Sequence, residues 1–191
     1  MRWITFAIFA FVMLIFEIGL RPLLHWKVSI GWVCPSFILI LAAYVGLLAP
    51  ARVVPWAMLA LGFLQDLQEI PVGDPVSVTP ILGPATLGYL LGGFAIVRLR
   101  GVFYRSSPLA VAAMAFTAGV FVNLVAVALL TFRGVPLLGE PIGGWNVADQ
   151  LFRRFLELSY STLLAVPVGY LLLRFQGLWG FETSRGPGMR R

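Results

Sequence analysis

Apolar positions along this chain come in long blocks, with polar residues gathered at their ends. Six blocks stand out, at about residues 3–20, 32–48, 53–70, 76–97, 108–132 and 157–175. A helix needs about 20 residues to cross a hydrocarbon core, with a usable range of about 17 to 25. Each block therefore reads as a spanning helix, the second and third at the short end. The predicted fold is all-α: a polytopic membrane helix bundle of about six transmembrane helices. It forms one transmembrane domain over residues 1–181, followed by a short cytoplasmic tail at 182–191. The first block follows Met1-Arg2 and has the look of a signal peptide, yet it ends in Gly19-Leu20-Arg21-Pro22 with no small-x-small cleavage site. It is expected to be retained as a helix.

Most connections are short. The stretch "RPLLHWKVSIG" at 21–31 carries Trp26 and Lys27, residues typical of a membrane interface. The stretch "RGVPLLGEPIGGW" at 133–145 is rich in Gly and Pro and predicts an irregular outer loop. In "NVADQLFRRFLEL" Asn146 is placed as an N-cap, with Asp149 in the first turn. Val147, Leu151 and Phe155 repeat at i, i+4, i+8, and Asp149, Arg153 and Glu157 form a charge ladder on another side. That pattern predicts an amphipathic interfacial helix near 146–156 leading into the last span.

Composition agrees with a lipid setting. Hydrophobic residues make up 60% of the 191 and charged residues only 12%, with a mean hydropathy of +0.93. That leaves too little polar surface to coat a soluble globule. The 14 Lys and Arg against 8 Asp and Glu sit between apolar blocks rather than in one stripe, so they read as topology signals and not as a nucleic-acid surface. With the N-terminus inside, nine basic residues (Arg2, Arg52, Arg98, Arg100, Arg105, Arg174, Arg185, Arg190, Arg191) fall on the cytoplasmic side and five (Arg21, Lys27, Arg133, Arg153, Arg154) outside. Both termini are thus expected to be cytoplasmic. The loop "RLRGVFYRSS" would face anionic lipid headgroups or a cytoplasmic partner, with plain topogenic anchoring the favoured explanation. A single cysteine, Cys34, excludes an internal disulfide, and a single histidine, His25, cannot build a multi-histidine metal site.

Candidate chemistry is sparse. The zincin, serine-hydrolase elbow and phosphate-loop motifs are absent. Asp66, Glu69 and Asp74 form the best enzyme-like constellation, since carboxylates bind hard cations and do acid-base work. Nothing nearby supplies a nucleophile, and no catalytic, cofactor or metal residues are assigned. Packing signals are stronger. Gly88-x-x-x-Gly92 beside Gly93 allows a close helix approach, either inside the bundle or with a partner. Pro80 and Pro84 are expected to kink or break the outer half of the fourth block, because each lacks an amide donor. Ala115, Gly119 and Asn123 lie at i, i+4, i+8, and Asn123 should point inward to find a hydrogen bond.

Asp66 lies about one turn short of the outer end of its block, too deep for an ordinary solvated carboxylate. Two sets of partners are available to it: free amides around Pro71 to Asp74, or those at the start of the fourth helix. Asp66 is then an architectural lock, for which Asp66→Asn should be mild and Asp66→Leu disruptive.

The run "GFLQDLQEIPVG", with Gly62-x-x-x-Asp66 followed by Pro71-Val72-Gly73 and a Gly-rich helix, resembles the MreD family of bacterial rod shape-determining membrane proteins. Upstream, "CPSFILILAAYVGL" is similar to that family's Pro-Asp-plus-apolar opening, with Ser36 where an Asp is usual. The resemblance covers mainly Pro35 to Gly93. It implies a non-catalytic, multi-pass scaffold in the bacterial inner membrane, without cofactors. Its partners would be a bitopic protein of MreC type and, through it, MreB filaments and the elongation glycosyltransferase and transpeptidase of peptidoglycan synthesis. Asp66, Pro71, Gly73, Gly88, Gly92 and Asn123 would be its structural and partner-binding residues. The family is also similar to the substrate-binding components of energy-coupling-factor transporters, which implies an alternative role as a small-molecule binder. A third reading, a membrane-embedded enzyme, rests on the acidic cluster alone.

Overall fold

The structure is a computed structural model and describes residues 2–28, 31–68, 83–103, 107–133 and 147–179. Six α-helices dominate them: α1 (Trp3–Leu24), α2 (Phe37–Leu48), α3 (Val54–Gln68), α4 (Pro84–Leu99), α5 (Pro108–Arg133) and α6 (Val147–Arg174). A two-stranded antiparallel hairpin, β1 (Trp26–Val28) and β2 (Gly31–Val33), joins α1 to α2. A 3-10 turn, Gln176–Trp179, follows α6. Three of the helices, α1, α5 and α6, are long and apolar enough to cross a membrane, the mark of a membrane protein.

The bundle is built around α2. Its sequence, "FILILAAYVGLL", is apolar on every face, and a helix of that kind has to be enclosed on every side. Each of the other five helices packs against it. Residues Phe37 to Leu47 are all buried. At 12 residues α2 is about 18 Å long, short of a hydrocarbon core, but protein and not lipid surrounds it. By contrast, α1 and α6 turn large apolar side chains outward, among them Ile4, Phe11 and Leu163. Those faces require an apolar surrounding.

Small residues set the spacing of α3, α4 and α5. A Cβ on Gly62 would lie 2.6 Å from the Cα of Thr86, and one on Gly88 2.7 Å from the Cα of Val122. Backbone therefore meets backbone at both crossings. One end of the bundle is closed by the Arg2 amide donating to the Trp179 carbonyl (3.1 Å). Trp179 is fully buried there, with its ring 4.7 Å from Phe9 and 5.2 Å from Tyr44. At the same end Arg100 donates to the Ala49 carbonyl, the C-cap of α2, at 2.6 Å.

Several sequence expectations are corrected. The second block does not begin its helix at Trp32. Trp32 pairs with Lys27 across the hairpin, and the helix waits for its cap at Ser36. The stretch 21–31 is not a plain loop, because α1 runs on through Pro22 to Leu24 and the strands follow. Helices α2, α3 and α4, at 12, 15 and 16 residues, are shorter than a spanning helix. Pro84 breaks the fourth block and does not kink it: α4 begins there, where the missing N–H and preset φ of proline suit the first turn. The interfacial helix and the last span are one continuous helix, α6, with Pro167 inside it. Asn146, Pro80 and the tail at 182–191 lie outside the described residues.

Candidate functional site

The N-terminus of α4 has no cap of its own. Its N-cap is Gly83, which lacks a side chain and takes a φ of 127°, a conformation that suits glycine. A helix start of this kind leaves backbone donors without partners. Asp66 on α3 supplies the missing acceptor. Its Oδ1 accepts from the Ala85 amide (2.9 Å), and its Oδ2 from the amides of Gly83 (3.0 Å) and Thr86 (2.9 Å). The Thr86 hydroxyl donates to Oδ2 as well. Pro84 has no N–H, so the amides of residues 83 to 86 are all accounted for. Asp66 is only 3% exposed. The positive end of the helix dipole adds to these charge-assisted bonds.

A second carboxylate does the same for α2. Glu17, well inside α1, accepts from the Ile38 amide at 3.0 Å and from the Ser36 hydroxyl at 3.2 Å. Ser36 is itself the N-cap and accepts from the Leu39 amide at 3.3 Å. The Ser36 amide donates to the hydroxyl of Ser161 on α6 (2.8 Å), and that hydroxyl donates to the Glu157 carbonyl (2.7 Å). Helices α1, α2 and α6 are thus tied together through one polar knot.

The knot forms part of the wall of a cavity of about 520 Å³. Glu17 and Arg21 line it from α1, Cys34 and Ser36 from the approach to α2, and Gln65 and Gln68 from α3. Tyr89 of α4, Asn123 of α5, and Arg153, Arg154, Glu157 and Ser161 of α6 complete it. Asn123 donates to the Arg154 carbonyl at 3.2 Å, so its polar group is directed into the bundle. Arg153 lies 3.7 Å from Glu157 one turn along α6.

Of the residues singled out from sequence, Asp66 meets the amides at the start of α4. Gly88 and Gly92 are buried against α5 of the same chain, with Gly92 facing Ala118. Asn123 lies at the cavity. Pro71, Gly73, Glu69 and Asp74 lie outside the described residues. Among the described residues no three His, Cys, Asp or Glu side chains gather as metal ligands. His25 caps its own helix, with Nδ1 3.0 Å from the Arg21 carbonyl and its ring against Trp32.

Glu17 was missed at the sequence level, as were Gln65, Gln68 and Ser161. The signal for Glu17 was present: a lone carboxylate in "FAFVMLIFEIGL" is an ionisable group inside a span, and such groups have partners. No comparable signal marks Gln65 or Ser161, which matter only because of what stands opposite them. No protein-family model, curated protein or solved structure matches this chain.

Proposed function

We propose that this protein is a non-catalytic, multi-pass scaffold of the bacterial inner membrane, acting in the cell-elongation machinery as MreD-type proteins do. It crosses the membrane six times with both termini cytoplasmic. In this role it binds a bitopic partner of MreC type and couples MreB filaments to peptidoglycan synthesis. The observation that carries the reading is the state of the motif behind the resemblance. In Gly62-x-x-x-Asp66 the glycine brings the α4 backbone against α3, and the carboxylate is fully engaged by the α4 amides. Such a motif serves architecture, which is what a scaffold requires.

The cavity favours a second reading, the small-molecule-binding component of an energy-coupling-factor transporter. At about 520 Å³ it has the size of a ligand site, with polar groups converging from five helices and the α2 approach. One experiment separates the two. A tagged copy is purified from its host, and its gene is then depleted. Co-purification of a one-span coiled-coil protein, with rounding of cells on depletion, is the expected result. Recovery of a pair of ATPases with unchanged cell shape would put the transporter component in its place.

A further inference from the structure

The cavity's polar groups are unevenly matched. Three guanidinium groups, from Arg21, Arg153 and Arg154, line it together with two carboxylates. One of these, Glu17, is engaged by the start of α2 and by Ser36. The other, Glu157, stands 3.7 Å from Arg153 Nε, an ion-pair distance beyond hydrogen-bond reach, and both that Nε and Gln68 Nε2 are buried without a hydrogen-bond acceptor among the described residues. Buried donors without acceptors are costly, and an interior holding an excess of them together with positive charge suits an anion rich in oxygens. The planar fork of arginine fits phosphate in particular.

The cavity also has a side door. A second cavity, of about 650 Å³, shares Arg21, Cys34, Arg153 and Glu157 with the first and continues past Ile18, Pro22 and Trp32. It runs between α1 and α6, two helices that make no extended contact with each other. Ile15 and Ile18 on this side of α1 are exposed. Glu17, Gln68 and Asn123 each lie 14 or 15 residues from the first residue of their helix, about 21–23 Å along it. In a hydrocarbon core of about 30 Å that depth is well past the midplane, toward one headgroup layer.

We propose that the inner cavity binds the phosphate of a lipid headgroup, which enters laterally between α1 and α6 and leaves its acyl chains in the bilayer. The inference needs the membrane setting but not the scaffold role, so failure of either leaves the other standing.

The test uses the full chain in neutral detergent, with three probes: dioleoyl phosphatidic acid, dioleoylglycerol with the same chains and no phosphate, and inorganic phosphate. Native mass spectrometry should show phosphatidic acid retained and dioleoylglycerol lost. The paired change Arg153→Gln and Arg154→Gln should weaken retention about tenfold or more, while Arg52→Gln, an exposed arginine at the other end, should leave it unchanged. The wild-type protein offers a readout free of any folding defect. Cys34 is its single cysteine and lines both cavities, so phosphatidic acid should slow its reaction with a maleimide and dioleoylglycerol should not. Equal protection by the two lipids, or an equal loss of retention with Arg52→Gln, would overturn the proposal. Displacement of phosphatidic acid by inorganic phosphate at equal concentration would overturn the lipid assignment in favour of a soluble anion.

Discussion

The carboxylate of Asp66 lies 2.9 Å from the amide nitrogen of Ala85, a residue 19 positions further on, and caps a helix other than its own. Every group around that carboxylate is a donor. This changes the outlook for the isosteric substitution. In Asp66→Asn one oxygen becomes an NH2, which must face a backbone amide that can only donate. Asp66→Asn is therefore expected to cost about 1–3 kcal/mol and not to be mild. Asp66→Leu, which leaves all the donors unmet, should cost more. Thermal unfolding of the detergent-solubilised variants checks the order; equal midpoints for wild type and Asp66→Asn would contradict the cap.

Ser36 and Glu17 form a second test. The Ser36 hydroxyl lies 3.2 Å from the Glu17 carboxylate. Ser36→Asp would set two carboxylates side by side, at a cost between about 1 and 4 kcal/mol. Combining it with Glu17→Gln removes the repulsion and leaves one carboxylate at the start of α2. The double variant should thus be more stable than Ser36→Asp alone. A double variant less stable than both single ones would refute this pairing.

The glycines should rank by what their missing side chains would meet. Gly88→Ala drives a methyl toward the Val122 backbone at 2.7 Å, whereas Gly92→Ala meets Ala118 at 3.1 Å and Gly19→Ala meets nothing within 4 Å. Overpacking costs about 1–3 kcal/mol, so Gly88→Ala should destabilise most and Gly92→Ala less. Gly19→Ala should be neutral or stabilising, since alanine is the better helix former. The larger Gly88→Leu and Gly92→Leu should lower expression and stability of the isolated protein, because the contact is internal.

Topology is checked by reporter fusions. The Arg2–Trp179 and Arg100–Ala49 contacts put the start of α1, the 3-10 turn after α6 and the α2–α3 turn at one end of the bundle. Fusions at Arg52, Arg105 and Arg191 should report cytoplasm, and fusions at Asp74 and Gly139 the outside. A cytoplasmic signal at Gly139 would overturn six crossings.

The membrane character and the helical class were legible in the sequence, and so were the bounds of α3 and α5, whereas α2 and α4 begin later than their blocks and α6 joins two segments read separately. Partition between water and lipid depends on the composition of each segment, and a helix satisfies its backbone within itself. Asp66 stood out for the same reason, as a charge with no local partner. The sequence by itself could not show that α2 is the axis of the bundle, that Trp32 turns back onto Lys27 instead of starting a helix, or that the interfacial segment and the last span share one helix, α6. Nor could it show which amides Asp66 and Glu17 meet, or the cavity that Gln65, Asn123 and Arg154 come to share. Those depend on hydrogen bonds and contacts between residues roughly 20 to more than 100 positions apart, and only the packing of one helix on another brings such partners within reach. Local composition determined that this chain is helical and belongs in a membrane; the close approaches at Gly62 and Gly88, and the carboxylates that cap neighbouring helices, decided the shape it takes there.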